Sequence, residues 1–168
     1  MSNNSSSQPI GDSRSDGACL SVEARPIRAR VVPGTRRGHA LGFPTANLGL
    51  ESLELPASGI YAVWVRIEGQ SRWMKGAASV GYNPTFELRA RKMEVHILDY
   101  TGGELYGKVL EVVLAAYLRE ERRYDGPEAL IRQMEKDCAN ARRVLADCPA
   151  PARAPAARRP HGTGDERS

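Results

Sequence analysis

The sequence predicts a mainly β protein, an antiparallel barrel or closed sandwich that ends with one C-terminal helix. Several segments in the middle of the chain alternate apolar and polar residues with a period of two, which is typical of strands. No helical pattern separates these segments, and glycines and prolines lie between them. Strands that follow one another without intervening helices favour antiparallel pairing and closure of the sheet.

Five segments are candidate strands. Alternation is seen in 60–67 and 93–99, residues 109–118 form a longer β-branched and apolar run, and 28–32 and 71–80 are further candidates. In 60–67 the alternation places Tyr61 and Val65 on one face and Ala62 and Trp64 on the other, so we expect the second face to be the wetter one. In 93–99 the same alternation sets Met93, Val95 and Ile97 opposite Glu94, His96 and Leu98.

A helix is predicted after residue 125. Asp125 and Glu128 have the spacing of a capping box, and Pro127 suits the first turn of a helix. Apolar residues then recur at intervals of three and four and form a stripe that should pack on the barrel. The stripe consists of Leu130, Met134, Cys138, Ala141 and Leu145.

Length and composition indicate one domain. The chain has 168 residues, and its two ends are poor in large apolar groups, so we expect disordered tails at 1–24 and 148–168 around a domain at 25–147. The net charge of +4 comes from basic residues that are mixed with acidic ones. Nucleic-acid binding, which needs a basic patch, is therefore disfavoured.

The cysteines indicate a reducing compartment. Cys19, Cys138 and Cys148 are odd in number and lack the Cys-x-x-Cys spacing, so we expect neither a disulfide framework nor a structural zinc site. Cys138 lies in the apolar helical stripe and is expected in the core. No apolar run reaches the roughly 18 residues that span a bilayer, and no secretory signal is evident. We expect a cytoplasmic monomer without membrane contact.

Residues 41–47 form the most informative motif, Leu-Gly-Phe-Pro-Thr-Ala-Asn. The oxygens of Thr45 and Asn47 suit a hydrated hard cation such as Mg²⁺. The preceding residues 34–39, Gly-Thr-Arg-Arg-Gly-His, form a basic loop that could curl round a phosphate. A turn in which Thr45 and Asn47 satisfy local backbone groups remains an alternative.

Further motifs follow in a fixed order. They are Ser-Gly-Ile-Tyr-Ala at 58–62, Ser-Val-Gly-Tyr-Asn-Pro-Thr-Phe at 79–86, Met-Glu-Val-His-Ile-Leu-Asp at 93–99, Leu-Tyr-Gly at 105–107 and Leu-Arg-Glu-Glu at 118–121. With the closing helix, these motifs over residues 28–146 resemble the riboflavin kinase family. The resemblance implies a small Greek-key barrel with a C-terminal helix that phosphorylates riboflavin on its 5′-hydroxyl with ATP, giving FMN and ADP.

In bacteria this domain is usually the C-terminal half of a bifunctional FAD synthetase. The sequence carries no His-x-x-His-type nucleotidyltransferase signature, so we expect it to make FMN and not FAD. The resemblance also implies that Thr45 and Asn47 hold the cation between protein and ATP. Mg²⁺ is the expected cation, with Mn²⁺ or Zn²⁺ as alternatives. The other nucleotide-binding positions that match are Gly34, His39, Ile97, Asp99 and Tyr106.

The resemblance implies that Glu94, in the motif Met-Glu-Val-His-Ile, is the base that activates the 5′-hydroxyl. From the residue pattern alone, Glu94 would be a solvated surface group. His96, on the same face, is expected to orient its neighbours. The loop that closes over the flavin is matched by Arg119, Arg122 and Tyr124, whose charges and aromatic ring suit a flat, polar isoalloxazine.

Three positions depart from the family pattern. Ala29 stands where glycine is frequent, Glu120 where proline is usual, and Tyr124 where phenylalanine is common. The last two fall in the flavin loop, so the preferred substrate could be a flavin analogue. A non-catalytic carrier or sensor of flavin or FMN is the other alternative, although such a protein would not need Thr45, Asn47 and Glu94 together.

Overall fold

The computed structural model describes residues 18–20, 25–34, 37–50, 55–82 and 91–152. Within them the chain forms six strands and two helices. In order these are β1 (Ile27–Val32), α1 (Arg37–Ala40), β2 (Ala46–Leu48), β3 (Gly59–Ile67), β4 (Met74–Tyr82), β5 (Arg91–Ile97), β6 (Val109–Arg119) and α2 (Pro127–Asp147).

The strands close into an antiparallel barrel in the order β1-β2-β5-β4-β3-β6, and β6 pairs back to β1. Strands β3, β4 and β5 are consecutive neighbours, and β6 returns to lie beside β3. A fourth strand that lies beside the first of three consecutive strands is the Greek-key arrangement. The predicted fold, a small antiparallel barrel with a C-terminal helix, is confirmed.

All five predicted strands are present, with ends that differ by up to three residues from the predicted ones. The sixth strand, β2, was not predicted. Its three residues lie inside the Pro-Thr-Ala-Asn motif, which is too short for an alternating pattern to be recognised. Pairing with β1 on one side and β5 on the other fixes β2 as a strand. The four-residue helix α1, in the predicted phosphate loop, was also missed.

The barrel interior is filled by inward-facing apolar side chains, among them Met93, Val95 and Ile97 of β5. A second apolar cluster lies outside the barrel, between β3, β6 and α2. Ala62 and Trp64 belong to this cluster and are 0% and 9% exposed. The prediction that their face is the wetter side of the strand is therefore wrong, because α2 covers it.

Helix α2 begins as predicted in one respect and differs in another. Pro127 is in the first turn, and the cap residue is Gly126 with φ 135°, in the region that favours glycine. No side chain in the described residues hydrogen-bonds to the cap. The predicted capping box is not formed, because Asp125 precedes the cap by one residue.

The cysteine prediction is also wrong, because Cys19 and Cys148 form a disulfide across 129 residues of sequence. Leu20 donates its backbone N–H to the carbonyl of Ala115 on β6 at 2.6 Å, and the indole of Trp64 donates to the carbonyl of Cys148 at 3.2 Å. These contacts hold both cysteines against the domain. Cysteine count and spacing carry no information about such a pair, which only the fold brings together.

Cys138 is buried and unpaired, as predicted. In the part of the chain that the structure describes, no helix has both the length and the apolarity to cross a bilayer. The limits of the two tails stay predictions. The cytoplasmic compartment also stays a prediction, but the cysteines no longer support it, because disulfides are rare in reducing compartments.

Candidate functional site

A row of side chains crosses the outside of the barrel over five neighbouring strands. Asn47 of β2 is directly opposite Glu94 of β5, and Glu94 is opposite Ser79 of β4. Ser79 is in turn opposite Ile60 of β3, and Ile60 is opposite Arg119 of β6. Residues opposite each other on one face of an antiparallel sheet have Cβ atoms about 4.5–5.5 Å apart. The row therefore brings predicted metal, base and flavin residues onto one surface.

Two clefts open along this surface in the described part of the chain. The first has a volume of about 640 Å³ and the second about 320 Å³. Thr45 and His96 line both clefts and so form part of the wall between them. Two clefts with a common polar wall can hold two ligands whose reacting ends meet at that wall.

The first cleft contains most of the residues predicted to bind nucleotide. These residues are His39, Ile97, Asp99 and Tyr106, together with Thr45 and Asn47. Gly34 does not line the cleft but lies against Asn47, because a Cβ at Gly34 would overlap the carboxamide of Asn47. Asp99 has a φ of 56°, which aspartate tolerates better than most residues.

The predicted phosphate loop packs closely on residues 41–47, the predicted cation-binding segment, called the metal motif below. A Cβ at Gly38 would overlap the carbonyl oxygen of Phe43 and lie 3.1 Å from Thr45 Oγ1. Phe43 donates its backbone N–H to the carbonyl of Gly38 at 2.8 Å. A glycine at position 38 is therefore needed for the loop backbone to approach Phe43 and Thr45 this closely. Arg36 and the side chain of Arg37, the predicted source of positive charge, lie outside the described residues.

A divalent cation fits this donor set only together with phosphate. Within the described residues, no group of three or more histidine, cysteine or acidic side chains could hold a metal. Thr45 and Asn47 offer two neutral oxygens in the first cleft. Mg²⁺ commonly keeps several waters and takes phosphate oxygens as ligands. The chemistry of the two side chains is therefore compatible with a cation that arrives with a nucleotide.

The second cleft contains the predicted base. Glu94 is 25% exposed and forms an ion pair with Lys92 at 3.2 Å. A second carboxylate, Glu121, accepts a hydrogen bond from the Ser79 hydroxyl at 2.9 Å and covers Gly81, where a Cβ would overlap it. Glu121 belongs to the Leu-Arg-Glu-Glu motif at residues 118–121, but no role for it was predicted from the sequence.

His96 holds the metal motif in place. Its Nδ1 lies 2.8 Å from the carbonyl oxygen of Pro44, which can only accept, so Nδ1 carries the proton. The imidazole also packs edge-on against Phe43, with 5.6 Å between ring centroids. These contacts favour the predicted orienting role, because they fix the Gly-Phe-Pro segment that precedes Thr45.

The predicted flavin residues Arg119, Arg122 and Tyr124 all line the second cleft. The Arg119 guanidinium is held by the buried carboxylate of Asp137 on α2, with Nε and NH2 at 2.8 and 2.6 Å from its two oxygens. Burial by itself would lower the pKa of Arg119. The hydrogen bonds and charge of Asp137, with smaller contributions from Tyr124 and Glu121, outweigh burial and raise this pKa above its ordinary value.

The role of Asp137 was not predicted from the sequence. Asp137 lies three residues after Met134 and four before Ala141, so it falls on the same helical face as the apolar stripe and is buried there. A charged residue at a position of this stripe was the signal for a buried partner.

Comparison with known proteins identifies the family. The family model described as Flavokinase, riboflavin kinase, matches residues 23–145. The chain belongs to the riboflavin kinase family.

Within this family, human riboflavin kinase is 36% identical over 123 residues, which cover 70% of this chain and 79% of the human protein. The bifunctional riboflavin kinase/FMN adenylyltransferase of Listeria monocytogenes is 40% identical over 121 residues, which cover 71% of this chain. The crystal structure of riboflavin kinase from Trypanosoma brucei has a TM-score of 0.52 at 24% identity, covering 74% of this chain and 82% of that one. The last likeness concerns the fold.

The chain spans about two fifths of the length of the bifunctional relatives, 38% of the Listeria protein and 39% of that from Pseudomonas fluorescens. Both Cys19 and Cys148 fall outside the residues that the family model matches.

Proposed function

We propose that this protein transfers the γ-phosphate of ATP to the 5′-hydroxyl of riboflavin, producing FMN and ADP. The observation that carries the proposal is the wall shared by the two clefts, which includes Thr45 and His96. The nucleotide would occupy the larger cleft and the flavin the smaller one. Family membership supports the same reaction.

The proposed chemistry needs one proton transfer and one displacement. Glu94 lies in the second cleft, where its carboxylate would accept the proton of the 5′-hydroxyl. The hydroxyl oxygen then forms a bond to the γ-phosphorus, while the bond between that phosphorus and the β–γ bridging oxygen breaks and ADP leaves. Phosphoryl transfer of this kind depends mainly on positioning and charge neutralisation.

The remaining residues bind and orient the two substrates. When bound with ATP, Mg²⁺, or Mn²⁺ or Zn²⁺ in its place, would neutralise phosphate charge beside Thr45 and Asn47. His96 keeps Nδ1–H on the Pro44 carbonyl and so orients the metal motif. Tyr124 and Arg122 would contact the isoalloxazine ring. We propose that the protein acts as a monomer.

The test is direct. Purified protein is incubated with riboflavin, ATP and Mg²⁺, and riboflavin and FMN are separated by chromatography with fluorescence detection. FMN should appear only when ATP and Mg²⁺ are both present, and excess EDTA should stop its formation. If riboflavin fluorescence is quenched on binding but no FMN forms, the protein is a flavin carrier and the proposed reaction is wrong.

A further inference from the structure

We propose that Asp137 is a positioning residue for riboflavin binding, which acts through Arg119 on the loop at residues 119–124, called here the flavin loop. The proposal rests on the function proposed above. It concerns a side chain on α2, outside every sequence motif that pointed to the site.

Both oxygens of the Asp137 carboxylate are hydrogen-bonded. Oδ1 accepts from Arg119 Nε at 2.8 Å and from Gln133 Nε2 at 3.0 Å, and Oδ2 accepts from Arg119 NH2 at 2.6 Å. Asp137 is 6% exposed. Two parallel N–H···O bonds fix the plane of a guanidinium as well as its position. Helix α2, which packs on β3, β4 and β6, therefore determines where the Arg119 side chain points.

Arg119 in turn holds the flavin loop. Its NH1 donates to the carbonyl oxygen of Glu120 at 2.7 Å, which fixes the first peptide beyond β6. Its guanidinium carbon lies 5.9 Å from the ring centroid of Tyr124, within the range of a cation–π contact. The start of the loop and its aromatic ring are both in contact with one side chain, and that side chain is fixed by Asp137.

A second attachment lies on the other side of the loop, where Ser79 donates to Glu121. Ser79 is the strand partner of Glu94. The flavin loop is thus fastened at Asp137 on one side and next to the candidate base on the other. Displacement of the first attachment would shift the ring-binding surface relative to Glu94.

This arrangement refines the role of Arg119. A guanidinium has five N–H donors, and Nε, NH1 and NH2 each already donate within the protein. Arg119 was predicted to contact the flavin, and we now assign it a mainly indirect role that depends on Asp137. Removal of either partner from a buried ion pair is much more damaging than removal of an exposed charge.

The experiment is a double-mutant cycle with Asp137→Asn, Arg119→Gln and the double variant. Riboflavin affinity is measured by fluorescence quenching, well below each variant's unfolding temperature. Asp137→Asn should weaken riboflavin binding about tenfold, in keeping with loss of a charge-assisted hydrogen bond. The KM for ATP should change less than about twofold, since the nucleotide cleft does not contain Asp137. Glu135→Gln, an exposed acidic residue on the same helix, is the matched control and should leave both constants unchanged.

If Asp137 acts through Arg119, the double variant should bind riboflavin no more weakly than Arg119→Gln. Additive losses, or wild-type riboflavin affinity in Asp137→Asn, would overturn the proposal. Should Asp137→Asn be unstable, Asp137→Glu, which keeps the charge, is expected to show a smaller loss of affinity at equal or better stability; an equal loss would contradict the proposal.

A readout that needs no ligand separates this inference from the proposed function. Amide hydrogen exchange at residues 120–126 should be faster in Asp137→Asn, whereas exchange in β4 should be unchanged. If the wild-type protein does not bind riboflavin at all, the proposed function is wrong, and the exchange data still decide whether Asp137 positions the loop. Unchanged exchange in the loop would refute the positioning role.

Discussion

Asn47 and Glu94 are directly opposite each other on the antiparallel strands β2 and β5. One lines the larger cleft and the other the smaller cleft. The candidate metal ligand and the candidate base are thus neighbours across a single pair of strands. A hydroxyl group held at Glu94 would therefore lie close to a phosphate held at Asn47.

Replacement of the candidate base should reduce turnover and leave nucleotide binding intact. We expect Glu94→Gln to lower kcat by about 10²- to 10⁴-fold, because the amide cannot accept the hydroxyl proton. The KM for ATP should stay within about twofold, since Glu94 does not line the nucleotide cleft. Steady-state kinetics of FMN formation measure both constants.

The matched comparison is Glu121→Gln, at the second carboxylate of the same cleft. Its amide oxygen can still accept the hydrogen bond from Ser79, so the loss of kcat should be much smaller. If kcat falls more in Glu121→Gln than in Glu94→Gln, Glu121 and not Glu94 is the base.

Gly34→Ala should impair nucleotide binding without unfolding the protein. The new methyl group would overlap the Asn47 carboxamide, and the end of that side chain can move aside. We expect the KM for Mg²⁺-ATP to rise about five- to tenfold, because Asn47 leaves its position at the cleft. In Gly103→Ala, the control in the same cleft, the methyl group would meet no atom within 4 Å. Equal KM values for the two variants would contradict the proposed role of Asn47.

Reduction of the Cys19–Cys148 disulfide should destabilise the fold. A cross-link that closes 129 residues of sequence is expected to contribute about 2–5 kcal/mol to the free energy of unfolding, mainly by restricting the unfolded chain. Thermal unfolding with and without dithiothreitol should show a lower midpoint in the reductant. Cys19→Ser should unfold at the reduced midpoint and not respond to dithiothreitol; a response would show that another bond is being reduced.

The Cys138 thiol should be unreactive in the folded protein. Burial raises its pKa, and the nearby positive charge of Arg142 only partly opposes this effect. The thiolate is the reactive form, so labelling by a thiol reagent should be slow at pH 8 and become fast on addition of denaturant. Because the pKa of Cys138 is higher in the folded protein than in the unfolded chain, the free energy of unfolding should fall as pH rises from the unfolded-state pKa towards the folded-state pKa. Rapid labelling at pH 8 without denaturant would disprove the burial of Cys138.

The barrel could be predicted because β3 and β5 alternate over six residues or more and β6 is a long β-branched and apolar run. The order of motifs was enough to place Thr45, Asn47 and Glu94 in one family pattern. Strand β2 could not be predicted because pairing with β1 and β5, rather than its own sequence, makes it extended. Local propensity has little weight in so short a segment.

The features missed at the site have a common physical cause. Asp137 is polar in a helical stripe, and only the tertiary contact with Arg119 explains its burial. Glu121 gains its place from Ser79, more than forty residues earlier in the chain. The Cys19–Cys148 bond depends on the pairing of β3 with β6, because Leu20 contacts β6 and Cys148 contacts Trp64 of β3. Such long-range pairs leave no periodic signal in a single sequence.

The disulfide between Cys19 and Cys148, whose Cα atoms are 5.7 Å apart, closes the polypeptide between them into a covalent ring. Starting points within a ring are interchangeable in principle, and exposed turns are the places where chains tolerate a break. The turn at Glu68 and Gly69 is exposed and joins β3 to β4 on the chain. A circularly permuted chain that begins after this turn, and in which a peptide linker joins the segment at Cys148 to the segment at Cys19, should fold into the same barrel. Its first strand would be β4.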